Sequence, residues 1–357
     1  VTIPANFTNE ARVETIKAAK LAKLKVKNIV NEPTAAALYY VFKNGGSMNG
    51  CFAVFDLGGG TFDISIIKVV NRDVVVLASE GIKKLGGDDF DSALQKIVQR
   101  KYKEKTGEDL DIKEAYTKTN AEDDKKSLSK RDKVNVRVEK INIELTREEF
   151  EKEIASMLAQ TKMSCEIAIE AAGLGLADIK DVLLVGGSTR VPAVKEMVKE
   201  IFKKDPVTTV NVDEAVCLGA SLFSAIKGDA EDLTPTQKAS IQKISVSDVA
   251  VGYFGTLALN SSTGKMFNSI LIAKNQKIPC EVTKTYYTSY DGQTSVDCTI
   301  TQSSLETEDP EMVETISNED LSLPSGRRRG QEIDITYAYD DNGTMHASFI
   351  DVQTGKE

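Results

Sequence analysis

The residues best suited to chemistry are Asp56-Leu57-Gly58-Gly59-Gly60-Thr61-Phe62-Asp63, set between two apolar, strand-like runs. Three consecutive glycines let the backbone approach a polyphosphate closely and point amide N–H groups at it, with no Cβ in the way. Thr61 adds a hydroxyl donor, while Asp56 and Asp63 suit hydrated Mg²⁺ and a water nucleophile. The pattern is not a Walker P-loop, which needs Gly-Lys-Ser/Thr leading into a helix. A glycine-rich hairpin with incidental acids is the competing reading. A second glycine turn, Val185-Gly186-Gly187-Ser188-Thr189-Arg190, joins a buried-strand pattern to a helical one. There the glycines admit a flat nucleoside against the backbone, and Arg190 can stack on a base. An ordinary strand–helix turn explains that motif equally well when it stands alone, whereas two such turns in one α/β chain are far more specific.

Other chemistry is excluded by residue counts. The single histidine, His346, in a strand-like segment near the C-terminus, nearly excludes mechanisms that need a Ser-His pair or several histidine ligands. Cys51, Cys165, Cys217, Cys280 and Cys298 are scattered, which fits reduced thiols in a cytoplasmic compartment rather than a disulfide or zinc framework. A net charge of -9 argues against nucleic acid as the main partner. The one dense basic run, Arg327-Arg328-Arg329, reads as a solvated loop. No apolar stretch reaches the roughly 20 residues that a membrane helix needs, and no secretory signal opens the chain. The chain starts at Val1 inside a strand-like Val1-Thr2-Ile3-Pro4, so further N-terminal sequence is expected.

The elements that must position these motifs are legible in outline. At 357 residues the chain is too long for one typical core, so two or three domains are expected. Residues 1–228 alternate between strand and helix signals, the signature of a layered α/β fold. Cys51–Leu57, Ile64–Val70 and Asp73–Ala78 read as strands, the last two separated by a turn at Asn71-Arg72. Thr146 and Glu149 have capping-box spacing ahead of Phe150, Ile154, Met157 and Leu158 at helical period, and Gly173 stops that helix. Asp181–Val185 is a further buried strand. After it, Pro192 sits in a first helical turn, with Val194, Met197, Val198 and Ile201 on one apolar face.

Residues 229–247 shift toward Asp, Thr, Pro, Gln, Lys and Ser and read as a connector. Over 248–357 alternation replaces helical periodicity. Ile333, Ile335, Tyr337 and Tyr339 share one face, followed by the hairpin signal Asp341-Asn342-Gly343 and a second run through Ile350. This part is expected to be a mainly β domain.

Taken together, these motifs resemble the actin/hexokinase/heat-shock ATPase superfamily. Asp56–Asp63 is similar to its second phosphate loop, and Gly186–Arg190 to its adenosine loop. Asn31-Glu32-Pro33-Thr34-Ala35-Ala36-Ala37, Leu85-Gly86-Gly87-Asp88-Asp89-Phe90-Asp91 and Asp213-Glu214-Ala215 narrow the resemblance to the 70-kDa heat-shock chaperones. It continues more weakly through Ile272-Ala273-Lys274-Asn275, Ile278-Pro279 and the final hairpin. The implied fold is an actin-like, ribonuclease H-like α/β ATPase domain, comprising the second lobe and part of the first. An all-β sandwich that binds substrate follows it, without a helical lid.

The resemblance also implies roles. Asp56 would hold Mg²⁺ through water, Thr61 would contact the γ-phosphate, and Asp63 and Glu32 would order the metal shell and attacking water. Gly58, Gly59 and Gly60 would cradle phosphates. Gly86, Gly87, Gly186, Gly187, Ser188, Arg190 and Asp213 would shape the nucleoside pocket. Glu122, Lys125, Lys126 and Ser129 match its far wall, with Lys126 standing where the family usually has Arg. Pro4 and Arg12 match interdomain switch residues; on sequence alone they read equally as a strand end and an exposed helix charge. In the β domain Ser289, Val296 and Cys298 match the peptide cleft, with sandwich core as the competing reading. The family's first phosphate loop and catalytic Lys lie N-terminal to the residues here, so negligible ATPase activity is expected of residues 1–357 alone.

The implied function is that of an ATP-dependent chaperone using ATP/ADP and Mg²⁺ and binding extended apolar segments of unfolded proteins. J-domain cochaperones and nucleotide-exchange factors would be its partners, with neither nucleic acid nor membrane. One alternative is a non-hydrolysing holdase or exchange regulator like the 110-kDa relatives, which the weak apolar linker Lys243–Val249 resembles. An actin-like sugar kinase shares the phosphate loops but not the β domain.

Overall fold

Branched and aromatic residues make Gly50–Leu57, Phe62–Val70 and Asp73–Ile82 an antiparallel meander. The second hairpin closes through Asn71 and Arg72 at φ 51° and 75°. Both residues sit in the left-handed region, whose twist matches the flanking strands. Ile179–Val185 adds in parallel along the free edge of Gly50–Leu57. These four neighbouring strands run in the order 73–82, 62–70, 50–57, 179–185. The computed structural model describes residues 1–44, 49–207, 211–228, 233–241, 244–340 and 343–357.

The chain divides into two compact units. One comprises Thr2–Asn6 and Asn31–Val246; the other comprises Val1, Phe7–Val30 and Ser247–Glu357. Residues 7–30 therefore group with the C-terminal residues rather than with the rest of 1–228. Within the connector, residues 229–232 and 242–243 lie outside the described residues, and Pro235–Ile241 is helical.

In the first unit the sheet is covered on both faces. Ala53, Phe55, Leu57, Phe62, Ile64 and Ile66 share a core with the helices Gly87–Thr106, Arg147–Ala171 and Pro192–Phe202. Phe52 and Val54 point the other way and are also buried, beside the Ala-rich helix Glu32–Lys43. Burial on both faces explains why Gly50–Leu57 reads as a continuous apolar run. The capping box forms as expected. Thr146 Oγ1 accepts from Glu149 N–H, and Glu149 Oε2 accepts from Thr146 N–H at 3.2 Å, a cap worth about 1 kcal/mol. The helix ends at Ala171, ahead of Gly173 at φ 68°. Val194, Val198 and Ile201 are buried on the face the periodicity assigned them, with Met197 half-buried.

In the second unit two antiparallel sheets share one apolar cluster. One runs 266–272, 253–259, 295–303, 314–322, and the other 280–287, 332–339, 345–351. Phe254, Leu271 and Leu321 of the first meet Ile333, Ile335, Tyr337, Tyr339 and Phe349 of the second. Tyr337 keeps its hydroxyl satisfied by donating to Gly255 O at 2.7 Å. Asp341 and Asn342 of the expected turn lie outside the described residues; Gly343 has φ 67°. The basic run differs from expectation at one position. Arg327 forms a two-pronged ion pair, at 2.6 and 3.0 Å, with the fully buried Asp351, while Arg328 and Arg329 stay exposed.

Candidate functional site

The two glycine turns start at paired strand ends. Asp56, the penultimate residue of Gly50–Leu57, lies opposite Val185, the last residue of its parallel neighbour. Turns leaving the carboxyl ends of neighbouring parallel strands converge there, which is where open α/β sheets bind ligands. The turns are in contact: Ser188 Oγ donates to Gly58 O at 2.8 Å.

The carbonyls of the first turn are all tied back. Gly58 O also accepts from Gly87 N–H at 3.0 Å, Gly59 O from Asp88 N–H at 2.7 Å, and Gly60 O from Leu85 N–H at 3.2 Å. Among the described residues the N–H groups of Gly59 and Gly60 donate to no protein group, and both residues are exposed. Bonded carbonyls and open amides leave N–H groups of this turn free to meet an anion. A Cβ at Gly60 would meet nothing within 4 Å, and one at Gly59 only Asp88 Oδ1 at 3.9 Å. The space in front of these glycines is therefore open, as phosphate oxygens would need.

Gly86 and Gly186 serve a different purpose. A Cβ on Gly86 would fall 2.5 Å from the Gly59 backbone, and one on Gly186, at φ 83°, 2.3 Å from Leu57 O. Both let one turn pass against the other. Gly86 N–H donates to Asp89 Oδ2 at 2.9 Å, starting the helix Gly87–Thr106. Thr189 Oγ1 donates to Gly186 O, and Gly186 N–H to Val212 O.

In front lies a cleft of about 760 Å³, within the usual range for small-ligand sites. Its lining includes Gly58, Gly59, Gly87 and Ser188 from the turns, Glu122, Lys125, Lys126 and Ser129, and Gly187, Arg190 and Asp213. Lys125 is buried, donating to Gly87 O at 2.8 Å and pairing with Asp91 at 2.7 Å. Lys126 pairs with Glu122 at 2.8 Å, and the Arg190 guanidinium with Asp213. Gly60, Thr61, Gly86 and Gly186 are not part of the lining.

Glu32, Asp56 and Asp63 form a separate acidic group. Asp56 and Asp63 are 7% and 3% exposed, and Glu32, in the first turn of its helix, is half-buried. Asp63 Oδ1 accepts from both Asn6 N–H and Asn6 Nδ2, at 3.1 and 2.8 Å. Burial, and then the charge of Asp63, pushes the Glu32 carboxyl up to about 7. Burial, then Glu32 and Asp63, holds Asp56 well above the usual range. Three carboxyl groups that repel one another this way are relieved by a divalent cation. Among the described residues no three His, Cys, Asp or Glu side chains are placed to ligate a metal directly. The three carboxyl groups are where a hydrated cation would be held if one binds beside the glycine turns.

Pro4 belongs to the α/β unit and Arg12 to the β-rich one, where Arg12 is buried and a Cβ on Gly343 would fall 2.7 Å from its guanidinium. Ser289 is exposed, its N–H donating to Gln293 Oε1. Val296 is half-buried against the shared β core, and Cys298 is inside it.

Sequence reasoning missed Asp91, Asn6, Lys130 and Lys195. Asp91 was visible within the run Leu85–Asp91, and its pairing with Lys125 needed only the approach of two helices. Asn6 gave no local signal, because its partner Asp63 is 57 residues away. Lys130 and Lys195 look like ordinary surface lysines until the cleft is built.

A family model described as "Hsp70 protein" matches residues 1–357. The chain is 35% identical to "Heat shock 70 kDa protein, mitochondrial" of Pisum sativum, over 100% of this chain and 52% of the relative. It thus spans about half the length of that curated relative. The mixed α/β sheet fits an actin-like ATPase domain, and the whole-length match leaves no segment to another family: the chain belongs to the Hsp70 protein family.

Proposed function

We propose that this chain serves an ATP-dependent molecular chaperone: its α/β part binds ATP or ADP with Mg²⁺, and its β part holds extended apolar segments of unfolded proteins. The domain limits proposed are 1–228 for nucleotide, 229–247 for the connector and 248–357 for the β-sandwich. The observation that carries the nucleotide reading is the Gly58–Gly60 turn, with every carbonyl tied back and the Gly59 and Gly60 amides open. Those amides would hold phosphate oxygens, with the Thr61 hydroxyl beside them. Asp56 would hold the hydrated cation, and Glu32 and Asp63 would order its shell and the attacking water. Bound Mg²⁺ would supply charge neutralisation of the phosphates. Arg190 would be steadied by Asp213 for stacking on the base, and Lys125 by Asp91 for the ribose side.

In the β part, an extended peptide would gain main-chain hydrogen bonds at a strand edge and place an apolar side chain at Val296. J-domain cochaperones and a nucleotide-exchange factor would be partners by family resemblance. The free thiols fit a reducing compartment such as the cytoplasm; the pea relative's own name places that protein in mitochondria. One observation favours a second reading, a non-hydrolysing holdase or exchange regulator: Lys126, which stands where the family usually has Arg, is engaged by Glu122 and offers no planar stacking surface.

Calorimetric titration of the complete protein with ADP and Mg²⁺ tests the nucleotide reading. Saturable binding is expected, abolished by Gly59→Val, whose side chain would fill the phosphate space while both proteins stay folded by circular dichroism. Binding of equal strength in the variant contradicts it. Turnover of ATP by the complete protein separates the first reading from the second.

A further inference from the structure

The cleft contains more positive charge than its own acids use. Lys125 is paired with Asp91, Lys126 with Glu122 and Arg190 with Asp213. The remaining acid of the lining, Asp88, lies 3.9 Å from Lys118. Two cations of the lining are left over, Lys130 and Lys195, and among the described residues neither ammonium has a hydrogen-bond or ion-pair partner. Unpaired surface lysines are ordinary; a pair of them in a cleft whose other cations are all paired is not.

Their place in the fold sets them apart from the phosphate turn. Along one wall the chain runs from Ser188, bonded to Gly58, through Arg190 to Lys195 in the first turns of the helix Pro192–Phe202. Along the other, Lys125 of the helix Lys118–Leu128 is buried against Gly87, and Ser129 and Lys130 follow the end of that helix. Lys130 follows Ser129 and Lys195 follows Arg190 in the chain, so both exposed lysines line the cleft beside residues assigned to the nucleoside.

We propose, resting on the nucleotide reading above, that Lys130 and Lys195 form an anion subsite at the nucleoside end, which favours adenosine diphosphate carrying a further phosphate on its ribose. Two ammonium groups facing a dianion in a walled cleft are screened less than on open surface, and each contact adds binding that salt weakens.

The test is competition binding of ADP, 2′-phospho-ADP and 3′-phospho-ADP to the complete protein and to a Lys130→Ala, Lys195→Ala double variant, at low and high ionic strength. The wild type should bind one of the ribose-phosphorylated forms about ten-fold more tightly than ADP, an advantage that shrinks at high salt. The double variant should lose that advantage while its affinity for ADP itself changes little. Equal affinity of the wild type for all three, or an advantage that survives in the double variant, overturns the subsite and leaves the nucleotide reading intact. A folded wild type that binds none of the three overturns both.

Discussion

Ser188 Oγ donates a 2.8 Å hydrogen bond to the carbonyl oxygen of Gly58, joining two glycine turns that are 130 residues apart in sequence. The bond helps hold the Gly58 carbonyl back, and so fixes the side of the turn on which the amides open. Ser188→Ala removes it from a nearly buried position and should cost about 1 kcal/mol of stability. Nucleotide affinity should fall by more than that stability change implies, because the phosphate turn loses its brace. Chemical denaturation beside ADP titration checks this, and an unchanged affinity would deny the bond its positioning role.

The glycines should separate into two classes. Gly86→Ala and Gly186→Ala place a Cβ against backbone atoms at 2.5 and 2.3 Å, so each should cost about 2 kcal/mol or more of stability and lower the melting temperature markedly. Gly60→Ala meets nothing within 4 Å and should leave the melt nearly unchanged while weakening nucleotide binding. Thermal melts of all three variants without ligand, followed by ADP titration of Gly60→Ala, read out both halves.

The acidic group predicts a pH dependence. Glu32 titrates at about 7 when folded against an ordinary value of 4.5, so between these values the folded protein holds a proton that the unfolded chain releases. Stability should therefore be full below pH 4.5 and fall as pH rises to about 7. The loss is bounded at about 3 kcal/mol, lessened by water at the exposed edge of the side chain. Glu32→Gln should flatten this slope and be more stable than the wild type at pH 8. Mg²⁺ should flatten it too, by favouring the ionised form. Urea midpoints at pH 5.5 and 8 decide the sign.

In the β-rich unit, Arg327→Ala should strand the buried Asp351 carboxylate and cost about 3 kcal/mol. Asp351 is held below its usual range chiefly by the Arg327 hydrogen bond, so its contribution is present at neutral pH and lost as the solution is acidified through that lowered value. Cys298→Phe should overpack the shared core, whereas Val296→Phe, at a half-buried position, should weaken peptide binding with a smaller shift in melting temperature. Fluorescence anisotropy with a Leu-rich peptide, beside a melt of each variant, separates these outcomes.

What could be read from the sequence follows the range of the forces involved. The strands, the Thr146–Glu149 cap and the Ile333–Tyr339 alternation depend on neighbours within a few residues, and periodicity reports them directly. The glycine turns were legible as motifs, but their contact through Ser188 and Gly58 required the parallel pairing of Asp56 with Val185. Local pattern also misjudged Arg327, a loop residue whose partner Asp351 is 24 residues on, at the end of a strand. The free charge on Lys130 and Lys195 is legible only by subtraction, once every other cation in the cleft has found its acid.

Hydrogen–deuterium exchange of residues 58–61 and 186–190 in the complete protein, with and without ADP and Mg²⁺, tests most directly whether the two turns form one nucleotide site. Protection should appear in both segments together on adding nucleotide, and Gly59→Val should abolish it in both. Protection confined to one segment, or nucleotide binding that leaves both exchanging as before, would contradict a shared site.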